Sequence, residues 1–398
     1  MLQLLLGGSG SGKTTLLYQR IRARAEKGEK SILLVPEQFT SSTEGRIYRE
    51  LGDALSGMVE SFSFTSLAEK ILSTEGGAAV QTLSDAGRAV LVRRALEELQ
   101  DNVHYYHRHR RSAAFCQMAA QTIDELKSAG LSGQQLAQLA GACGAESGKL
   151  SELALIFQGY ETLLARSGMD PSDRLELAGA RLEEALARHS LPEFLRDRAV
   201  FIDEFDTFNA PKKRLLGAML AALPSVTVAL CDDGAPLLPG DLSLFSGAKH
   251  VAAQLRQLAR KNGAEVAVPE LLRKDLRHQD APALAAVTRL LETGRCEPLS
   301  PETAGGLYLF AAPSREEEAR AAAGAIRRLM RQGVRCGKIA VVCRDIAKYR
   351  AAVRYEFRMA DIPLYCDEPT TPEFSAPATA VRALLALTRG AELTEQLT

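Results

Sequence analysis

The first fifteen residues contain the side chains whose types and spacing are most typical of chemistry. Residues 7–14 read GGSGSGKT, which matches the G-x-x-x-x-G-K-T pattern of a Walker A phosphate loop. Glycines let the backbone wrap so closely that successive N–H groups point at phosphate oxygens, and the helix that follows adds its positive end. The predicted nucleotide-binding residues are Gly7, Gly8, Ser9, Gly10, Ser11, Gly12, Lys13, Thr14 and Thr15.

Two side chains of this loop have distinct predicted roles with ATP. Lys13 can reach the β- and γ-phosphates, and the hydroxyl of Thr14 can hold Mg²⁺. An apolar run at residues 2–6 predicts a buried strand, and residues 16–21 fit an amphipathic helix. This context favours a phosphate loop over the alternative, a glycine-rich turn that is followed by a lysine by chance.

A pair of carboxylates follows a second apolar strand. Residues 199–202 read AVFI and run into Asp203 and Glu204, which is typical of a Walker B element. Asp203 is the predicted metal-shell residue, and Glu204 is a predicted catalytic residue, together with Lys13, because it can orient the attacking water. The pattern is weak alone and gains weight after a Walker A loop.

Strand and helix patterns alternate around these two motifs. Further strands are predicted at residues 31–35, 58–61 and 226–230, and the alternation indicates an α/β domain with a parallel, doubly wound sheet. Its two parts are residues 1–82 and 196–246. Between them, residues 83–195 read as an all-helical insertion, in which Ser132 and Gln135 form a capping box and Asp170 caps a helix that Pro171 begins.

The rest of the sequence divides into two predicted regions. Residues 247–305 read as a charged, mostly helical connecting region, and residues 306–398 as an incomplete second α/β domain. The strands predicted in this second domain lie at residues 307–310, 339–342 and 362–365.

Composition narrows the class of protein. The 49 basic and 49 acidic residues give a net charge of +0, so any nucleic-acid surface must be local. The seven cysteines show no C-x-x-C pair, which favours a reducing compartment. No stretch approaches the roughly 18 apolar residues of a membrane span, and the apolar start lacks the basic region of a signal peptide. We therefore expect a soluble, cytoplasmic protein with no membrane partner.

The order of several further motifs resembles the AddB/RexB family, the B subunit of the bacterial AddAB helicase–nuclease. After the phosphate loop these motifs are LVPEQF at 34–39, SFSFTSLA at 61–68, FIDEFDTF at 201–208, KIAVVCRD at 338–345 and DIPLY at 361–365. The resemblance implies a RecA-like P-loop domain with a helical insertion and the start of a second RecA-like domain, laid out as in superfamily 1 helicases of the UvrD type. It also implies ATP, Mg²⁺, an AddA-type partner subunit, and both single- and double-stranded DNA in double-strand break processing. The implied single-stranded DNA contacts are Phe39, Thr40, Phe62, Ser63, Phe64 and Thr65.

Members of the family are about three times longer and end in a RecB-like nuclease domain with an iron–sulfur cluster. After residue 345 neither an Asp…Asp-x-Lys nuclease pattern nor a cysteine quartet occurs, so we expect an N-terminal fragment that lacks the nuclease. The cluster is expected only in the missing C-terminal domain.

Departures from active superfamily 1 motors argue against movement along DNA, and the family resemblance implies a non-motor subunit that binds and scans DNA. The strand before the phosphate loop begins at residue 2, which leaves no place for an upstream adenine-reading glutamine. Residues 231–236 read CDDGAP and lack the γ-phosphate-sensing glutamine. The arginine finger is expected either in the unfinished part of the second domain or beyond residue 398. Glu204 keeps slow hydrolysis possible. The alternatives are an active helicase ATPase and a scaffold with a vestigial nucleotide fold.

Two basic segments have open interpretations. Residues 104–111 read HYYHRHRR; they fit a solvated loop, a nucleic-acid patch, or a metal site if His107 and His109 meet a third ligand. The basic side chains between residues 256 and 277 either line a DNA channel or form a solvated helix face.

Overall fold

The chain forms two compact units, Met1–Gly306 and Leu307–Thr398, and each is described by itself. The computed structural model describes all residues except 78, 80, 100, 110, 145–146, 296–297, 301, 367–374 and 389–398, and of His107 only the backbone.

The first unit contains a sheet of six parallel strands in the spatial order β3-β2-β4-β5-β1-β6. Its strands are β1 Leu2–Gly7, β2 Ser31–Leu34, β3 Val59–Phe62, β4 Ala199–Ile202, β5 Ser225–Cys231 and β6 Glu270–Leu272. The central strands are almost continuous apolar runs, which suits a parallel sheet that is covered on both faces. The predicted α/β class is therefore confirmed, and all strands point their carboxyl ends at one edge.

Helices cover the two faces of this sheet. On one face, Leu5 and Leu33 pack with α1 Lys13–Ala25 and α2 Thr40–Leu51. On the other face, Leu4 and Leu6 belong to a larger cluster with α4 Phe64–Glu75, α9 Pro171–Ala187, α10 Ala210–Ala222 and α11 Ser246–Lys261. The short helix α3 Asp53–Ser56 leads into β3. Alternate side chains of each strand thus supply two separate cores.

Among the described residues between α4 and β4, the chain forms five α-helices. Besides α9 they are α5 Asp85–Glu98, α6 Ala113–Ser128, α7 Gly133–Ala140 and α8 Ser147–Ser167. A separate core forms around Phe157 and Tyr160. The predicted capping box at the start of α7 is confirmed, because the side chains of Ser132 and Gln135 each accept a hydrogen bond from the other's backbone N–H.

The predicted capping role of Asp170 is wrong. Asp170 occupies the N-cap position of α9 and Pro171 begins the helix, but the carboxylate accepts no helix N–H. Its two oxygens instead bind the Lys127 ammonium at 2.8 Å and the Tyr160 hydroxyl at 2.6 Å. These buried charge-assisted bonds tie three helices together and are stronger than a cap.

The region predicted as charged and mostly helical also supplies a strand. In addition to α11 and α12 Pro282–Thr293, it contributes β6, which pairs with Leu5–Gly7 of β1. A strand of three residues is too short to produce a recognisable period in the sequence.

The second unit contains α13 Arg315–Arg331, α14 Ile346–Met359 and α15 Ala376–Thr388. Its small core joins Ile326, Phe357 and Ile362. The strands predicted at 307–310, 339–342 and 362–365 do not form among residues 307–366 and 375–388. Their side chains are largely exposed, as in Tyr308 at 90%, whereas parallel strands are stable only when both faces of the sheet are covered.

Across the part of the chain that the structure describes, no helix combines the length and apolar character needed to cross a bilayer.

Candidate phosphate-binding site

The phosphate loop connects β1 to α1 at the carboxyl edge of the sheet. Gly10 and Gly12 have φ values of 81° and 90°, a left-handed conformation that strains any residue with a side chain. The sheet therefore presents the backbone of residues 7–12 at the edge where ligands of parallel α/β domains bind.

Lys13 lies at the start of α1 and bends back over this loop. Its ammonium donates hydrogen bonds to the carbonyl oxygens of Gly7 and Gly8, both at 2.8 Å. Burial lowers the pKa of Lys13, and the charge of Asp203 opposes that shift. The Lys13 ammonium, the cation of the loop, is thus held against the loop backbone at Gly7 and Gly8, where a bound phosphate could contact it.

Asp203 follows β4 and reaches the same place. The strand β5 lies between β4 and β1, yet Asp203 lies near enough to Thr14 for the Thr14 hydroxyl to affect the pKa of its carboxylate. Burial, with only 6% of the residue exposed, raises the pKa of Asp203, and the Thr14 hydroxyl counteracts this. The two residues predicted to share a metal ion are therefore close to each other.

The residues present fit ATP and Mg²⁺. A hydroxyl and a carboxylate are the oxygen ligands that Mg²⁺ prefers, and Thr14 and Asp203 supply them side by side. Within the described ranges, the buried Ser11 hydroxyl has no hydrogen-bond partner, which is unusual for a buried polar group. A loop with an unused donor and a nearby cation is suited to an anion.

Glu204, the predicted catalytic carboxylate, has an uncommon backbone conformation. Its φ is 64°, which is costly for a residue with a side chain and is found most often at functional sites. Burial and the charge of Asp203 raise its pKa, while the charge of Arg46 opposes them. Arg46 from α2 stacks over the Tyr18 ring at 4.8 Å. Sequence reasoning missed Arg46, because it is one of many charged residues on helices.

The segment after β5 completes the far side of the loop. The Asp232 N–H donates to the Gly7 carbonyl at 3.2 Å, and the Asp232 carboxylate accepts from the Gly234 N–H at 2.7 Å. Burial raises the pKa of Asp232. This carboxylate maintains a turn beside the loop, within the segment 231–236 that lacks the glutamine expected of an active motor.

The first group of predicted DNA contacts lies beside this edge. Phe39 ends a 3₁₀ turn, Glu37–Phe39, that follows β2, and its ring is 37% exposed. The Thr40 hydroxyl donates to the Glu37 carbonyl at 2.8 Å. Phe39 is thus available to a ligand, whereas Thr40 also maintains the turn.

The second group of predicted DNA contacts, residues 62–65, has some side chains at the surface and others in the core. Thr65 is exposed and Phe62 is half-buried, whereas Phe64 is 2% exposed and packs edge-on against Phe205 at 5.2 Å. Ser63 is buried and accepts the Ser66 N–H as the cap of α4. The ring of Phe64 therefore packs in the core and offers no free face for stacking on a base.

The basic segment at residues 104–111 is organised around Glu152. The backbone N–H groups of His104, Tyr105 and Tyr106 all donate to its carboxylate. Among the described residues, no group of three or more His, Cys, Asp and Glu side chains could hold a metal ion; the side chain of His107 and all of Arg110 lie outside them.

Proteins of similar sequence indicate the family to which this chain belongs. The model of the family described as "ADDB, N-terminal" matches residues 4–288. The chain is 34% identical over 381 residues to the B subunit of the ATP-dependent helicase/deoxyribonuclease of Desulforudis audaxviator (strain MP104C), a match that covers 92% of this chain and 32% of that protein.

Relatives with the same name occur in Moorella thermoacetica, at 32% identity over 92% of this chain and 32% of that protein, and in Symbiobacterium thermophilum, at 32% identity over 96% and 34%. The chain thus spans about a third of the length of the curated relatives it matches. Since the family model covers residues 4–288, well over half of the chain, this protein belongs to the AddB family.

Proposed function

We propose that this chain is the ATP–Mg²⁺-binding and DNA-binding part of the B subunit of a helicase/deoxyribonuclease that acts in double-strand break processing. The observation that carries the nucleotide site is the position of the buried Asp203 beside the phosphate loop, where Thr14 and Lys13 both counteract the rise in its pKa that burial causes. Two motifs far apart in sequence supply the oxygen ligands that Mg²⁺ requires, next to a lysine-bearing phosphate loop.

In this proposal each residue of the site either binds one part of the ATP–Mg²⁺ complex or orients a water. The backbone N–H groups of residues 8–14 bind phosphate oxygens, and Lys13 neutralises the β- and γ-phosphates. Thr14 and Asp203 would hold Mg²⁺, which would neutralise phosphate charge when bound. Glu204 is the proposed residue for orienting a water.

We propose further that the nucleotide serves binding rather than movement. Residues 231–236 lack the glutamine of active motors, and the Asp232 carboxylate at that place maintains a turn. The exposed side chains at the same edge of the sheet, Phe39 and Thr65, are the proposed single-stranded DNA contacts, with Thr40 and Phe62 next to them. We also propose that the chain works with an AddA-type partner subunit, binds double-stranded DNA as well, and is located in the cytoplasm.

Glu204 favours a second candidate function, an active motor ATPase, because a second carboxylate beside Asp203 is suited to hydrolysis.

Turnover in the presence of DNA separates these candidates. We expect the chain to bind single-stranded DNA in a fluorescence anisotropy titration and to bind ATP–Mg²⁺ with little hydrolysis, whether or not that DNA is present. Phosphate release measured over hours, with and without a single-stranded oligonucleotide, tests this. DNA-stimulated release would contradict the non-motor assignment and favour the motor, and an absence of nucleotide binding would favour a scaffold.

A further inference from the structure

A segment of the first unit lies directly on the phosphate loop. We call residues 273–293, which follow β6 and include α12, the strap. The Leu276 N–H donates to the Gly10 carbonyl at 3.0 Å, and the Arg277 guanidinium donates to the Ser9 hydroxyl at 3.3 Å. The strap is thus hydrogen-bonded to two residues of the loop.

The glycines of the loop make room for this contact. A Cβ atom added to Gly10 would lie 2.7 Å from Cβ of Arg277, and one added to Gly12 would lie 2.9 Å from Cδ1 of Leu276. A side chain at Gly10 would therefore collide with Cβ of Arg277, whereas at Gly12 only the movable end of the Leu276 side chain is in the way. The strap thus lies directly against the phosphate loop at Gly10 and Gly12.

Glu292 brings a negative charge to the anion-binding part of the loop. A Cβ atom on Gly8 would lie 2.4 Å from Oε1 of Glu292, and the Ser9 backbone N–H is near enough to counteract the rise in the pKa of this carboxylate that burial causes. The charge of Lys13 attracts it. A carboxylate with a loop N–H and the loop lysine as neighbours has the charge and the acceptor oxygens of a phosphate group.

The part of the strap that precedes α12, residues 273–281, is the strap loop, and it keeps a defined shape. Asp275 Oδ1 accepts the N–H groups of Arg277 and His278, each at 3.1 Å, and Asp275 Oδ2 lies 2.8 Å from Nδ1 of His278. These local bonds do not involve the phosphate loop. The strap loop can therefore leave the site as a unit, without losing its own turn.

From these contacts we propose that Glu292 is an internal anion that occludes the phosphate loop, and that a nucleotide binds only by displacing the strap. The proposal rests on the nucleotide site proposed above and adds its regulation. A phosphate group and the Glu292 carboxylate compete for the same N–H and the same lysine charge, so nucleotide binding is coupled to movement of α12.

Two substitutions of Glu292 test the competition. Glu292→Gln removes the charge with little change in size, and Glu292→Ala also removes the acceptor. Both are expected to bind ATP–Mg²⁺ more tightly than the unaltered chain in calorimetry, by about tenfold, the equivalent of one hydrogen bond to a charged group. Asp280→Asn is the matched control, because it removes an exposed negative charge from the same strap and should leave the affinity unchanged.

Hydrogen exchange without nucleotide gives an independent result. Amides of residues 8–12 should exchange faster in Glu292→Ala than in the unaltered chain and in Asp280→Asn. Equal affinities and equal exchange in all variants, with binding still dependent on Lys13, would overturn the strap proposal and leave the nucleotide site intact. If no variant bound ATP–Mg²⁺, both proposals would fail, because removal of the occluding carboxylate should have uncovered any site.

Discussion

Lys13→Ala is expected to weaken ATP–Mg²⁺ binding by about a hundredfold or more, since two charge-assisted bonds to phosphate are each worth about 1.5–3 kcal/mol. The ammonium is the cation that β1 and α1 bring to the mouth of the loop, and the Gly7 and Gly8 carbonyls already fix its direction. Alanine keeps the helix, so the loss should be one of charge and not of fold.

Isothermal titration calorimetry of the variant measures this effect. Lys27→Ala is the matched control, because Lys27 is exposed beyond the end of the same helix and should bind nucleotide like the unaltered chain. Circular dichroism verifies that both variants are folded. Unchanged affinity in Lys13→Ala would mean that any nucleotide binds elsewhere.

Lys127→Ala is expected to lower the free energy of unfolding of the helical part by about 3–5 kcal/mol, the usual effect of breaking a buried ion pair. The Lys127 ammonium contacts Asp170 at 2.8 Å and Asp173 at 2.7 Å, with only 9% of its side chain exposed. Without it, the Asp170 carboxylate stays buried, and among the described residues the Tyr160 hydroxyl is its one remaining side-chain hydrogen-bond donor. An uncompensated buried charge is much more costly than a lost surface contact.

Urea denaturation followed by circular dichroism measures this loss. Arg93→Ala is the control, because its pair with Glu97 is exposed on α5 and such pairs contribute about 0.3–0.5 kcal/mol. Equal losses in the two variants would show that the buried network adds nothing beyond a surface pair.

The parts of the fold with strong local patterns are predictable from sequence. The phosphate loop is recognisable because closely spaced glycines are needed where the backbone wraps around phosphate. The strand before Asp203 is recognisable because an apolar run that ends in acidic residues is typical of a buried strand with carboxylates at its end. The nearness of Thr14 to Asp203 also follows, since the carboxyl ends of parallel strands share one edge.

Other features depend on partners that are distant in sequence. The burial of Phe64 is set by Phe205 and Phe208, and the strap reaches the loop only because β6 pairs with β1. Glu292 and Arg46 look like ordinary helix-surface charges until the fold places them. The apolar runs near residues 307 and 339 show the opposite case, in which β propensity is not sufficient without covering layers.

The central claim is that Thr14 and Asp203 hold Mg²⁺ for a nucleotide at the phosphate loop, and the Mg²⁺ dependence of ATP binding tests it most directly. ATP would be titrated into the unaltered chain and into Asp203→Asn, each with Mg²⁺ and with EDTA. We expect Mg²⁺ to tighten binding to the unaltered chain by about tenfold and to have little effect in Asp203→Asn, whose neutral amide is a weaker Mg²⁺ ligand. The same Mg²⁺ effect in both proteins, or no ATP binding by the unaltered chain, would contradict the account.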